Sequence, residues 1–425
     1  MREVLHNEVH ARPTPRIRLP ALVIYVAVLN DGVSREQEWA HLRELPDQGG
    51  LTLDELQGSF LRLRFAGHAL KWERHTEFTR YSLVQHLPED AITGGSEADL
   101  LRQLVIDPDW LRRIPGRTVA AVQMAMVHGD IGDGQAIKAM GRHWFDGKPV
   151  LASMLGRGHS CAVTDFGLRD SGFERMFVVA PEGTSETRVG RISQRLLELE
   201  TYRIMALRGL PVAKALGPML TAAEAELADI TARMDGTDVS DQALLETLIK
   251  LAAKVERATA EHMYRFSATQ AYHGLVLQRI NELREAAIPG TQTLGEFMQR
   301  RLSPAIATVA ATAQRLGSLS QRIERTSALL RTRVDIVTEA QNQQLLAQLT
   351  RGQDLQLNLQ TTVEGLSIAA ISYYVISLVL YLGKAAKAAG AHINPELLAG
   401  ALIPVVLLCI WWGTRQIHKK IHGGH

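Results

Sequence analysis

The sequence predicts an α+β fold. A cytoplasmic α/β domain on an antiparallel sheet precedes a helical section with a very long stalk helix and a carboxy-terminal two-helix transmembrane hairpin. Strand patterns separated by turns come first, helical patterns replace them, and two uncharged apolar stretches stand near the end. The predicted segments are the α/β domain at 1–182, the helical section at 183–302, the stalk at 303–362, transmembrane helices at 363–383 and 395–413, a short extracytoplasmic loop at 384–394, and a basic cytoplasmic tail at 414–425.

The composition limits the class of protein. With 425 residues the chain has room for two or three domains. Its 47 basic and 45 acidic residues give a formal net charge of +2, so we expect no nucleic-acid partner. The two cysteines, Cys161 and Cys409, are far apart in unlike surroundings and form no disulfide framework, which favours a reducing, cytoplasmic location for the bulk of the chain.

The α/β domain opens with the apolar stretch "ALVIYVAVL" (21–29), which follows basic residues as a signal peptide would. Pro20 lies near its start and no small-x-small cleavage site follows, so we interpret it as a buried strand. Next, Ser34 and Gln37 have the spacing of a helix capping box. Further strands are predicted as a hairpin of "FLRLRFAG" with "EFTRYSLVQ", a strand at "TVAAVQMAMV", and a hairpin of "CAVTDFGL" with "FERMFVV" that turns at Gly172.

The helical section has apolar residues in helical register up to Pro211, which marks a bend or an end. Residues 243–288 contain one glycine and no proline, so two antiparallel helices or one long helix would fit. The stretch "PGTQTLGEF" then predicts a break.

The stalk begins at Pro304 and meets no further proline until Pro395. Its apolar residues recur every seven positions, as in a coiled coil: Val309, Leu316, Ile323, Leu330 and Val337. This seam fails at Gln344 and resumes one residue later as Leu345, Gly352 and Leu359. A helix over 304–382 would be on the order of 118 Å long at 1.5 Å per residue. A single chain offers too few helices to cover it throughout, so we expect a homo-oligomer.

Two stretches near the end, 366–382 and 397–412, contain no acidic or basic residue, which predicts two membrane spans and membrane lipid as a partner. The alternative is a buried hairpin of two core helices. Four basic residues flank the spans on the side of the termini and two, Lys384 and Lys387, lie between them. The positive-inside rule therefore favours both termini in the cytoplasm.

Two short stretches suggest a metal site. Histidine and glutamate alternate in "LHNEVHARP" and again in "WERHTEF", and alternate residues of a strand share one face. If the two strands pool their ligands, six side chains would be candidates for a divalent metal ion: His6, Glu8, His10, Glu73, His75 and Glu77. The alternative is a polar network of ion pairs that fixes the amino-terminal segment onto the sheet.

The first predicted span carries a polar stripe. Tyr373, Ser377 and Tyr381 are spaced by four residues, and Glu364 precedes the span. In an oligomer they would be pore-lining candidates, with Glu364 gathering cations. The alternatives are ordinary helix packing for the stripe and a solvated interfacial position for Glu364.

Several stretches carry a resemblance to a known family: "LHNEVHARP", "WERHTEF", "VTDFGLRDSGFERMFV", "RLLELETYRIMALRGLP" and "TVEGLSIAAISYYVISLVLYLGK". Over nearly the whole chain they resemble a bacterial family of membrane-anchored proteins, the domain of unknown function family 3422. The resemblance implies anchoring in the bacterial inner membrane and implies no particular activity.

The order of segments also resembles that of the CorA magnesium transporters, in which five chains assemble and the first span lines the pore. This resemblance implies a homo-oligomer with five subunits. The family's Gly-Met-Asn motif is absent from the loop "LGKAAKAAGAHINPE", where Lys384 and Lys387 would repel cations. We therefore expect a non-enzymatic, oligomeric membrane protein with a structural, scaffold or ion-conducting role. The alternative is a membrane-tethered metal-dependent enzyme that uses the two His/Glu stretches.

Overall fold

The computed structural model describes residues 14–92, 100–236, 239–390 and 394–422, together with Arg2. It confirms the α+β fold class. The chain divides into two compact units, Met1–Ser327 and Ala328–His425. The segment boundaries given above stay a prediction.

The first unit contains one mixed sheet with the strand order β2-β3-β4-β1-β5-β8-β7-β6-β9. The parallel pair is β5 with β8, and the other neighbouring strands pair antiparallel. The strands are β1 Ala21–Leu29, β2 Phe60–Phe65, β3 His68–Arg74, β4 Phe78–His86, β5 Arg117–His128, β6 Leu151–Leu155, β7 Ser160–Thr164, β8 Glu174–Ala180 and β9 Ala286–Ala287.

Ten α-helices are found in the described residues. They are α1 Arg35–Arg43, α2 Glu89–Ile92, α3 Pro108–Arg112, α4 Gly134–Trp144, α5 Glu186–Leu207, α6 Gly209–Arg233, α7 Asp241–Leu283, α8 Leu294–Arg301, α9 Ser303–Ala388 and α10 Pro395–His422. The predicted capping box starts α1: the Gln37 amide donates to Ser34 Oγ at 3.3 Å, and the Ser34 amide donates to Gln37 Oε1 at 2.9 Å.

Strand β1 lies in the middle of the sheet and is buried on both faces, as predicted. Its even-numbered residues, such as Leu22 and Ile24, pack into one hydrophobic core, while Val23 and Tyr25 pack into the other. The second core is completed by α5, α7 and α8. A strand that is covered on both sides has no polar face, which explains the unbroken apolar run.

The predicted hairpin of "FLRLRFAG" with "EFTRYSLVQ" was wrong in its pairing. Strand β3 lies between them, and β2 reaches it through a turn at 66–67. Leu70 and Trp72 of β3 are fully buried, while Lys71 and Glu73 point to the opposite face. That face is also covered, and these polar side chains are ion-paired there. In the sequence, the polar residues of β3 therefore resembled a solvent-exposed connection between two strands.

The second hairpin is confirmed, because β7 pairs with β8 and Gly172 has a φ of 81° in the turn. Of the alternatives for residues 243–288, one long helix, α7, is correct. The break that follows it is shorter than expected. Thr293 forms a capping box with Glu296 and starts α8 within the predicted break.

Helices α6, α7 and the beginning of α9 pack together within the first unit. Gly209 allows the closest approach, since a Cβ there would lie 2.3 Å from Thr269 Oγ1 and 3.3 Å from Val309 Cγ1. Arg315 of α9 donates to Glu224 of α6 at 2.7 Å. The first part of the predicted seam, including Val309, is therefore buried within a single chain.

In the second unit the seam is no longer covered. Leu330 is buried, but Val337 is 52% exposed, and every residue over 335–363 of α9 is exposed. After the turn at Gly390, α10 returns beside α9, and a Cβ on Gly383 would lie 3.2 Å from Pro395 Cβ. Both helices contain stretches that are long and apolar enough to cross a membrane.

Candidate functional site

Of the six predicted metal ligands, Glu73 lies near the end of β3, and His75 and Glu77 lie in the β3–β4 connection. The other three, His6, Glu8 and His10, lie outside the described residues. The His75 ring stacks on Phe78, with ring centroids 4.5 Å apart. The Glu77 carboxylate accepts from Arg265 and lies 3.7 Å from Arg208, away from the ion pairs of Glu73.

Glu73 belongs to a buried ion-pair network on the sheet. Its carboxylate accepts from Arg80 Nε at 2.5 Å and lies 3.1 Å from Lys71 Nζ. Arg80 also donates to Glu198 of α5 at 3.1 Å, and Glu198 accepts from Arg279 of α7 at 2.6 Å. The network thus joins β3 and β4 to both helices that cover this face.

The charges in this network are mutually stabilised. Burial alone would raise the pKa values of Glu73 and Glu198, but Arg80 together with the other partners, Lys71 at Glu73 and Gln194 and Arg279 at Glu198, outweighs it, so that both pKa values are lowered. Both carboxylates are consequently ionised at neutral pH. The alternative interpretation, a polar network, is supported for "WERHTEF" through Glu73, whereas the segment that it was expected to fix onto the sheet, "LHNEVHARP", lies outside the described residues.

The metal hypothesis stays a prediction. No group of three or more His, Cys, Asp or Glu side chains within the described ranges is arranged to hold a metal ion. A site built from the six predicted ligands would therefore need at least one of His6, Glu8 and His10, which lie outside the described residues.

The pore candidates lie on α9. Tyr373 and Tyr381 are each 70% exposed, and Ser377 and Glu364 are half-buried. The helix places Tyr373, Ser377 and Tyr381 on one face, as their spacing requires. Whether they line a pore stays a prediction.

An arginine-lined cavity of about 290 Å³ lies in the first unit, and the sequence reasoning missed it. Three parts of the fold form it: α5 contributes Arg188, Arg191 and Arg195, the residue that follows α7 is Arg284, and the β6–β7 turn contributes His159. The α5 arginines recur at intervals of three and four residues in "RVGRISQR", so they share a helix face. That spacing could have indicated a basic face, but nothing in the sequence shows that α7 and the turn close a cavity over it.

A pair of buried carboxyl groups also escaped the sequence reasoning. Arg203 donates to Glu200 at 2.6 Å and to Glu174 of β8 at 3.1 Å. Burial and the neighbouring Glu200 carboxylate raise the pKa of Glu174 to about 9, so its carboxyl group holds a proton at neutral pH.

Together these features define a class: an α+β protein with a basic cavity in its sheet-containing unit and a carboxy-terminal pair of helices apolar enough to cross a membrane. The chain belongs to the family described as protein of unknown function (DUF3422), whose model matches residues 1–421. No curated protein and no solved structure matches the chain.

Proposed function

We propose that this chain is a homo-oligomeric inner-membrane protein, in which α9 and α10 form a two-span anchor and the long helix α9 connects the sheet domain to it. The single observation that carries the proposal is that the apolar stretches of α9 and α10 are exposed. Only 6% of the apolar window in each helix is buried. A core hairpin would be mostly buried, so this exposure favours lipid as the surrounding medium.

The charged flanks support an orientation with both termini in the cytoplasm. Lys384 and Lys387 are the basic residues between the spans, whereas Arg415, Lys419 and Lys420 follow the second span and Arg351 precedes the first. The sheet domain would then lie in the cytoplasm.

Self-association is proposed through the exposed segment of α9, residues 335–363. Leu345, Leu349, Leu359 and Val363 follow a heptad pattern there and are each more than half exposed. This exposed part of the seam follows, after the one-residue shift at Gln344, the part that is buried inside the chain up to Leu330. A second copy presents the same pattern at the same distance from the membrane, which makes it the best-matched partner.

The role that the assembly supports is that of a structural scaffold. Ion conduction is a second candidate, because the stripe of Tyr373, Ser377 and Tyr381 would face an axis if the first spans assemble around one. Lys384 and Lys387 at the mouth of such a pore disfavour cations. A metal-dependent enzyme remains the alternative from a different class. It requires bound metal in the purified wild-type protein and less of it after His10→Ala and His75→Ala substitution.

The membrane proposal is tested by washing membranes that contain the full chain with alkaline carbonate. Retention in the pellet is expected, and release into the supernatant would refute an integral anchor. The mass of the detergent-solubilised protein, measured by light scattering, then tests self-association, and a wild-type monomer would contradict it.

A pair of matched variants locates the interface. Leu345→Glu/Leu349→Glu introduces two charges on the seam and is expected to dissociate the oligomer. Gln344→Glu/Gln348→Glu introduces the same charges at the same spacing, one residue earlier, and should leave it assembled. Equal effects of the two variants would place the interface elsewhere.

A further inference from the structure

We propose that the arginine-lined cavity binds a small anion that carries phosphate, with two or more negative charges. The cavity lies entirely within the first unit, between α5, the end of α7 and the β6–β7 turn. The inference therefore depends neither on membrane insertion nor on self-association.

The charge balance of the cavity carries the proposal. Among the described residues, Glu282 is the carboxylate that lines it, and it is already paired with Arg195 at 3.2 Å and with Arg279 at 2.9 Å. Arg188, Arg191 and Arg284 have no ion pair with any carboxylate in the described part of the chain. Three guanidinium groups around one cavity repel one another, and an anion bound between them would remove that repulsion.

The cavity walls also supply neutral hydrogen-bonding groups. The His159 ring and the Ser160 hydroxyl lie 2.9 Å apart at the turn. Burial, and after it the Arg188 guanidinium, lowers the pKa of His159, so the ring is neutral at pH 7. It can donate to a ligand oxygen without adding to the positive charge.

Size and geometry select the ligand class. A volume of about 290 Å³ suits a small molecule and not a polymer. Guanidinium groups match phosphate through paired N–H donors in a planar fork. Three uncompensated positive charges favour a diphosphate or a phosphate monoester over a monocarboxylate. Such a group belongs either to a free metabolite or to a lipid whose head group is a phosphate monoester.

The test uses the full chain in phosphatidylcholine nanodiscs, with inorganic pyrophosphate as the probe in titration calorimetry. We expect saturable binding that weakens at least tenfold in Arg188→Ala/Arg191→Ala. The single variant Arg191→Ala changes an exposed side chain, so it should weaken binding without affecting folding. Arg257→Ala, on the exposed surface of α7, is the matched control and should bind as the wild type does.

The lipid arm repeats the titration in nanodiscs that contain phosphatidic acid, whose head group is a phosphate monoester, with both titrations at a salt concentration of about 0.3 M, which screens the surface potential of the bilayer. An unchanged affinity identifies a free phosphate compound as the ligand. An affinity at least tenfold lower, with no further loss in Arg188→Ala/Arg191→Ala, identifies a competing head group. No binding of pyrophosphate in phosphatidylcholine, or equal binding by wild type and Arg191→Ala, overturns the proposal.

Discussion

Replacement of Arg80 by methionine should destabilise the first unit strongly. Arg80 is 4% exposed and contacts two buried carboxylates, Glu73 at 2.5 Å and Glu198 at 3.1 Å. Removing one partner of a buried ion pair costs about 3–5 kcal/mol, because the remaining charge stays desolvated. Glu73 keeps Lys71, and Glu198 keeps Arg279 at 2.6 Å, so we expect a loss near the lower limit, about 3 kcal/mol.

The loss should depend on pH with a definite sign. Arg80 helps to hold the pKa values of Glu73 and Glu198 below their ordinary value of 4.5, so its stabilising effect is present above that pH and declines as the pH falls through the folded-state pKa values. The difference between wild type and Arg80→Met should therefore be greatest near neutral pH and shrink in acid.

The assay is denaturant unfolding of the full chain in detergent micelles, followed by tryptophan fluorescence, with Trp72 beside the network on β3. Arg112→Met is the control, because its ion pair with Asp109 is exposed and should contribute at most about 1 kcal/mol. A loss for Arg80→Met no larger than that of the control would refute the reasoning.

Three further predictions concern other buried positions. The raised pKa of Glu174, about 9 against 4.5, means that the folded state holds a proton that the unfolded state releases. Stability should therefore fall as pH rises through this range, by up to about 1.4 kcal/mol per pH unit, and Glu174→Gln should remove this slope in unfolding titrations. Gly190→Ala should cost about 1–3 kcal/mol, because its Cβ would lie 1.7 Å from the Pro15 carbonyl oxygen, whereas Gly217→Ala meets no atom within 4 Å and should not destabilise. Burial raises the pKa of the Cys161 thiol to about 12, so in a variant whose other cysteine is serine, maleimide should label it at pH 8 only after unfolding.

Elements could be predicted from the sequence where buried residues are apolar or where a local cap specifies the structure. Strand β1 was predictable because an unbroken apolar run has few alternatives, and α1 because Ser34 and Gln37 specify a local cap. Strand β3 was missed because Lys71 and Glu73 are polar yet buried, and Arg80, which pairs with Glu73, is itself paired with Glu198, a residue distant in sequence. Hydrophobic periodicity cannot identify a face whose charges are neutralised inside the protein.

The cavity was missed because its arginines have the sequence pattern of a helix face that is exposed to solvent. Arg188 and Arg191 have the helical spacing of a solvated basic face, which is the ordinary meaning of such a pattern. Their significance depends on Arg284 and His159, which the fold brings to the same cavity from other elements. Spacing along one helix carries no information about which distant residues close over it.

A continuous series of ion pairs connects the buried network to the wall of the cavity. Arg279 of α7 donates to Glu198 at 2.6 Å and to Glu282 at 2.9 Å, and Arg195 of α5 lies 3.2 Å from Glu282. Alternating charges therefore run from the sheet to the cavity wall in the order Glu73, Arg80, Glu198, Arg279, Glu282, Arg195. Because Glu282 is already paired with Arg195 of α5 and Arg279 of α7, it joins these two helices, and Arg188, Arg191 and Arg284 have no ion-paired carboxylate within the described residues. The stretch "WERHTEF" is thus connected to the cavity wall through Glu73, the first residue of this series of ion pairs.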